Sequence, residues 1–529
     1  YSTLAQVLMR RHSVDAAAGY DRRALEVVER SRARGLLDGL ADGDVVLGAG
    51  IAPALLERER QAGARVDSIA AAGTRARVGN RAAAEIDKTA ADLEAAQRDH
   101  FAASLAIRAV NQRYATLTGE PLGLADMQRL LDSSSALLVY AGGSTVTSLW
   151  LVTRQSQHGY TLAGADSLAP DIRRYVRLVT ERNRRNVGES TTQWRARITA
   201  ARRELLPLAA RLSEQLLSPV ARDLKSRRLL IVSSGALQYF PFAALPLPRG
   251  AVGAGMPLVS RHEVAVLPSV STVAALRELR SGRTAPSLTV AVIADPVFAS
   301  SDSRVDRAGR LVIESAATPD SAGWRVVTRG LESPGTLPRL LNTRKEALAI
   351  QSLVPATRRA VSLDFAANTT TALHPSLAQY RIVHFATHAF VNSESPEFSG
   401  IALSMVDERG VSRDGYVRLS QIYNMRLRAD LVVLSACQTA LGKDVKGEGL
   451  IGLTRAFLFA GATSVVASLW KVDDEATAEL MKRFYSGMLG PTPLRPVAAL
   501  RAAQVSLARE TRWRDPYYWA GFVLQGDWK

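Results

Sequence analysis

The sequence predicts an α/β protein with a mostly parallel central sheet, preceded by an α-helical region. Three observations predict it. Residues 1–120 are rich in Ala, Arg and Glu, with apolar residues at helical spacing. Beyond residue 121, β-branched and aromatic runs alternate with helical patterns, as layered α/β folds require. The last third holds three continuous apolar runs, 380–385 (YRIVHF), 429–435 (ADLVVLS) and 462–468 (ATSVVAS), suited to strands buried on both faces of a parallel sheet. At 529 residues the chain exceeds what one compact core supports, so more than one domain is expected.

Taken in order, residues 16–41 place Ala17, Tyr20, Ala24, Val27 and Val28, then Leu36, Leu37 and Leu40, at helical spacing, and Gly43 and Gly48 punctuate the run. In residues 53–117, Ile86, Leu93, Leu105 and Val110 interrupt a polar surface, and Gly73 and Gly79 break it into at least two helices. A helical hairpin or arm fits. Residues 135–140, 145–152 and 159–163 read as antiparallel strands separated by turns. A helical stretch follows over 169–217. Strands are expected at 228–232, 263–267 and 287–293, the last running into Ala-Asp-Pro. Residues 297–338 are rich in Ser, Asp, Gly and Pro and read as a long surface loop. Helical patterns follow the second and third apolar runs through Leu450, Leu453, Phe457 and Ala460, then Ala476, Leu480 and Phe484.

Composition bounds the function. A single cysteine excludes an intrachain disulfide framework and favours a reducing, cytoplasmic setting. No apolar run approaches the ~18 residues of a membrane helix, so no membrane role is expected. The first residue is Tyr1 rather than Met, so the sequence reads as a piece of a longer chain. The net charge is +17, but it is spread along the chain, as in Arg10 and Arg11, Arg182 to Arg185, Arg202 and Arg203, and Arg227 and Arg228. A solvated surface accounts for it, and a nucleic-acid partner is allowed only indirectly.

The chemistry lies at the ends of the apolar runs. The first runs into Ala-Thr-His388-Ala, the second into Ala-Cys437-Gln-Thr. In parallel sheets the functional crevice lies outside the carboxyl ends of the strands. Neighbouring strands are ~4.8 Å apart, so imidazole and thiol come within reach of each other. A free thiol of pKa ~8.5 needs such a base near neutrality. His384 lies inside the strand and reads as a packed residue. The His384/His388 spacing would suit a metal only on a helix, and no third ligand is evident. No phosphate-binding loop accompanies Gly442 and Lys443. Neither a metal nor another cofactor is required.

His388 and Cys437 are 49 residues apart, close to the ~50 of caspase-type proteases. More extensive segments are LLIVSSGALQYFPFAALP (229–246), VIADPVF (292–298), RIVHFATHA (381–389), LVVLSACQTALGKDVKGEGLIGLTRAFLFAGATSVVASLWKVDDEAT (431–477) and YYWAGFVLQGD (517–527). Together they resemble the CHAT domain family, a bacterial caspase-like group of cysteine peptidases related to separases. The resemblance implies a caspase-like three-layer α/β/α sandwich and an endopeptidase with His388 and Cys437 as a dyad. It implies oxyanion donors from the backbone of Cys437 and of Ala389, where related families often have Gly. It also implies three regions: a helical region over 1–120 ending a tetratricopeptide-like array, a non-catalytic companion lobe over 121–285, and a catalytic lobe over 286–529.

Trp470-Lys471-Val472-Asp473-Asp474 resembles the separase segment that lines the first specificity pocket. Asp474 there would favour Arg or Lys before the scissile bond. Alternatively, Asp473 or Asp474 only caps the following helix. The expected partners are a protein substrate and a regulatory protein on the helical region. The rival expectations are a catalytically silent scaffold and an effector subunit of an RNA- or defence-associated complex.

Overall fold

The computed structural model describes residues 2–41, scattered residues between 52 and 106, and then 122–225, 228–281, 283–306, 337–392, 399–435, 437–441 and 448–529. The breaks expected at Gly73 and Gly79, and residues 307–336 of the loop expected over 297–338, lie outside the described residues. The chain divides into two units, one formed by Tyr1–Ser31 with Leu122–Lys529, the other by Arg32–Pro121. The described residues of the second unit are almost all helical. Within it Arg65 lies 3.8 Å from Asp99, so two of its stretches come together. No described helix is long and apolar enough to cross a membrane.

The first unit is built on an eleven-stranded sheet. Its strands are β1 (Ser135–Gly142), β2 (Val146–Val152), β3 (Gln157–Ala163), β4 (Arg228–Val232), β5 (Glu263–Val266), β6 (Leu288–Ala294), β7 (Arg359–Ser362), β8 (Tyr380–Ala386), β12 (Leu431–Leu434), β14 (Ser464–Ser468) and β15 (Phe522–Gly526). A second, four-stranded sheet comprises β9 (His388–Asn392), β10 (Gly400–Ala402), β11 (Tyr416–Arg418) and β13 (Cys437–Leu441). The large sheet has the order β3-β2-β1-β4-β5-β15-β14-β12-β8-β6-β7. Only β1/β2, β2/β3 and β14/β15 pair antiparallel. Strands from 121–285 and from 286–529 therefore occupy separate halves, joined by the parallel pair β5/β15.

Helices cover both faces. Side chains of successive strand residues point to opposite faces. On β8, His384 Nδ1 meets the Tyr485 hydroxyl at 2.9 Å, on the helix Asp474–Leu489. The next residue, Phe385, packs at 5.7 Å on Phe457 of the helix Glu448–Ala460. In the other half, the Tyr140 hydroxyl donates to Leu216 O (3.0 Å) in the helix Thr191–Leu217. Trp150, on the face opposite to Tyr140 by register, donates its indole N–H to Asp21 O (2.9 Å). The result is the three-layer α/β/α sandwich that the family resemblance implies.

Three details differ. The stretch 169–217 is two helices, Ala165–Val179 and Thr191–Leu217, because Gly188 takes φ +76° and Ser190 starts the second with a capping box to Gln193. The last strand in sequence, β15, sits mid-sheet. The short strands β9 and β13 begin at His388 and Cys437 themselves. Some of the expected basic contacts are also spent within the fold. Arg202 pairs with Asp515 at 2.8 Å, Arg228 with Glu263 at 2.6 Å, and Arg182 lies 5.1 Å over the Tyr518 ring.

Candidate active site

The site grows out of two neighbouring strands. β8 and β12 pair in parallel with Phe385 opposite Leu434, and Ser435 N–H donates to Phe385 O at 3.0 Å. Both chains then leave the large sheet and enter the small one, where β9 and β13 pair in parallel with His388 directly opposite Cys437. The two residues are thus first in their strands and mutual register partners, about 4.8 Å apart across the ladder.

His388 is 3% exposed and tightly held. The preceding Thr387 hydroxyl donates to Ala402 O at 2.5 Å. The Phe298 ring stands 5.2 Å from the imidazole. Nε2 lies 2.8 Å from Pro338 O. A carbonyl only accepts, so Nε2 carries a proton and the neutral ring presents its lone pair at Nδ1. Nδ1 is buried and has no partner among the described residues. Buried imidazole nitrogens are ordinarily paired. This one belongs to the residue that the β9/β13 register sets opposite Cys437.

Burial holds the His388 pKa below the ordinary 6.5; Pro338 O opposes the shift and the Lys471 charge adds to it. The ring is therefore neutral at pH 7, as a general base must be. Protonation opposes the fold, so this contribution to stability is complete above pH 6.5 and is lost as pH falls below it. Replacing Lys471 by Met should raise the His388 pKa, though only slightly, because the lysine is exposed and its charge screened. The acid limb of Cys437 alkylation against pH should move up accordingly; a downward move would contradict the electrostatic coupling.

The other expected residues are placed as follows. Ala389 sits inside β9, opposite Ile401 of β10 on one side and Gln438 of β13 on the other. Asp473 is the N-cap of the helix Asp474–Leu489, accepting from Ala476 N–H at 3.0 Å. Asp474 is not the cap. Its Oδ2 accepts from both the backbone N–H and the side-chain amide of Asn342, each at 2.9 Å. Asn342 lies four residues after Pro338, so one short segment touches both His388 and Asp474. His384 is fully buried and contacts Tyr485 and Glu346, not His388.

Sequence reasoning missed the residues that hold that segment. Asp295, fully buried at the end of β6 with φ +49°, gathers three arginines. Arg339 approaches both its oxygens (2.8 and 2.7 Å), Arg344 Oδ2 (2.7 Å) and Arg304 Oδ1 (3.2 Å). Asp364, also at positive φ, takes Arg304 at 2.7 Å and Arg344. Ala-Asp-Pro after a strand was visible in the sequence, but its arginines come from distant segments. Pro338 gave no signal, since a backbone carbonyl belongs to any residue.

The CHAT domain family profile matches residues 206–527. Tetratricopeptide repeat protein 28 of Mus musculus is 27% identical over 337 residues, 58% of this chain, and the Homo sapiens protein is 26% identical. The chain spans only 12% of the length of these relatives. The Saccharomyces cerevisiae separase–securin complex aligns with a TM-score of 0.48 at 10% identity, over 78% of this chain and 31% of that one. The Porphyromonas gingivalis RgpB pro- and mature domains align at 0.33 and 10%, over 68% and 77%. The family match covers more than half of the sequence, runs from β4 through β15 and takes in both His388 and Cys437, so the chain belongs to the CHAT domain family.

Proposed function

We propose that this chain is a cysteine endopeptidase. Cys437 attacks the scissile carbonyl, His388 Nδ1 takes the thiol proton, and the same nitrogen then protonates the leaving amine. The observation that carries the reading is the buried Nδ1, without a partner among the described residues, of a histidine in register with the chain's only cysteine. Backbone N–H groups of Cys437 and Ala389 are the proposed oxyanion donors. Residues 121–285 are the proposed companion lobe and 286–529 the catalytic lobe. A protein partner on the helical region would regulate the site. The test is a mixed peptide library together with a peptidyl acyloxymethyl ketone that labels reactive cysteines. Cleavage with labelling at Cys437 is expected; absence of both, with native partners present, rejects the reading.

Asp474 is the proposed specificity residue. Asp473 does the capping, which leaves the second oxygen of Asp474 without a partner among the described residues, beside the segment that touches His388. A carboxylate there would select Arg or Lys before the scissile bond. Asp474→Asn should lower kcat/KM for such peptides by about 10²-fold, within the 1.5–3 kcal/mol of a charged hydrogen bond. Cleavage after apolar residues in the parent protein would reject this role.

One observation favours a second reading, a catalytically silent or latent scaffold. Ala389 has strand neighbours on both sides, so a substrate oxyanion would compete with the ladder for its N–H. Labelling of Cys437 without turnover, with or without partners, would support it.

A further inference from the structure

We propose that Glu346 is a positioning residue that sets the spacing between His388 and Cys437, an inference that rests on the dyad proposed above. The helix Leu341–Ser352 buries Thr343, Glu346, Ala347 and Ile350, a helical stripe with a carboxylate at its centre. Glu346 is 1% exposed. Its Oε1 lies 2.9 Å from Nε2 of His384 on β8, a close ion-pair contact outside hydrogen-bond geometry. Its Oε2 accepts the Ser435 hydroxyl at 2.8 Å, just past the end of β12. His384 Nδ1 continues the chain to the Tyr485 hydroxyl at 2.9 Å. Glu346, His384, Ser435 and Tyr485 are all at most 2% exposed.

The placement is the argument. His384 is four residues before His388, and Ser435 is two before Cys437. One carboxylate therefore touches the run-in to each half of the dyad, one oxygen to each. A helix lying on a sheet has no need of it. A buried ionic group is commonly matched or bettered in stability by apolar residues of similar volume. What apolar contact cannot supply is direction: one accepted hydrogen bond and one close ion-pair contact that tie two strand exits to one point. Catalytic pairs need that precision, since a displacement of about 1 Å can cost about 10²-fold in rate. The same helix has Asn342, held by Asp474, in its first turn and follows Pro338, which orients His388. It thus carries contacts to both halves of the site.

The test uses the full chain and iodoacetamide, whose only cysteine target is Cys437. Alkylation rate is followed against pH, beside a melting curve. In the parent protein the rate at pH 7 should fall on His388→Ala. Glu346→Gln should lower it about tenfold or more and move the inflection toward the ordinary thiol value of ~8.5, while melting stays cooperative. Glu346→Asp should recover part of the loss. Ser435→Ala, which removes a single hydroxyl, should move the profile in the same direction several-fold, and it decides the matter if Glu346→Gln does not fold. An unchanged pH profile with only a lower melting temperature, in Glu346→Gln or in Ser435→Ala, overturns the positioning role and leaves the dyad standing. A parent profile indifferent to His388→Ala overturns the dyad, and the role of Glu346 with it.

Discussion

Cys437→Ala should abolish peptide cleavage, and His388→Ala should lower kcat by about 10²–10⁴-fold, the range a general base contributes. Both follow from the proposed dyad. His388 is fixed by the Pro338 carbonyl at Nε2, which leaves Nδ1 as the only ring nitrogen able to accept a proton. Cys437 is its partner across the β9/β13 ladder. His384 offers no substitute, because its nitrogens face Tyr485 and Glu346. His384→Ala therefore should not mimic His388→Ala in mechanism: it should lower the melting temperature, where His388→Ala should chiefly remove the acid limb of the rate. The discriminating measurement is the pH–rate profile of each variant with one peptide substrate. Full activity in His388→Ala would exclude it as the base.

Asp295→Asn should cost about 3 kcal/mol of stability, the lower part of the range for breaking a buried charge cluster on one side. Asn tolerates the left-handed backbone at this position almost as Asp does, so the substitution tests charge alone. The amide leaves Arg339, Arg344 and Arg304 facing a neutral group. Arg339 directly follows Pro338, so the change should also loosen the carbonyl that orients His388. A lower melting temperature together with slower Cys437 alkylation is expected. Lower stability with unchanged alkylation would confine the cluster to the scaffold. The same cluster should yield to acid. Hydrogen bonds from Arg304 pull the Asp302 pKa down from 3.8 to about 2, so its contribution is complete above pH 3.8 and lost as pH falls through about 2.

Much of this was legible in the sequence because it depends on local pattern. Continuous apolar runs announced β8, β12 and β14, and β-branched and aromatic runs between turns announced β1 to β3. The placement of His388 and Cys437 just beyond two such runs followed from the rule for parallel sheets. The division of labour between Asp473 and Asp474 was not legible, since two adjacent acids before a helix have equal claims until the backbone direction is known. Nor was β15, whose central place comes from pairing with β14 and β5 across long stretches of chain.

By itself the sequence determined the α/β class, the strand ends that carry His388 and Cys437, and the CHAT family. These rest on periodicity and on unbroken segments. Only the tertiary structure decided the register of His388 with Cys437, the tautomer set by Pro338, the three arginines on Asp295 and the double hold of Glu346. Each joins groups from separate segments of the chain. A hydrogen bond or ion pair depends on distance and direction in space, and residue spacing along a chain does not encode either.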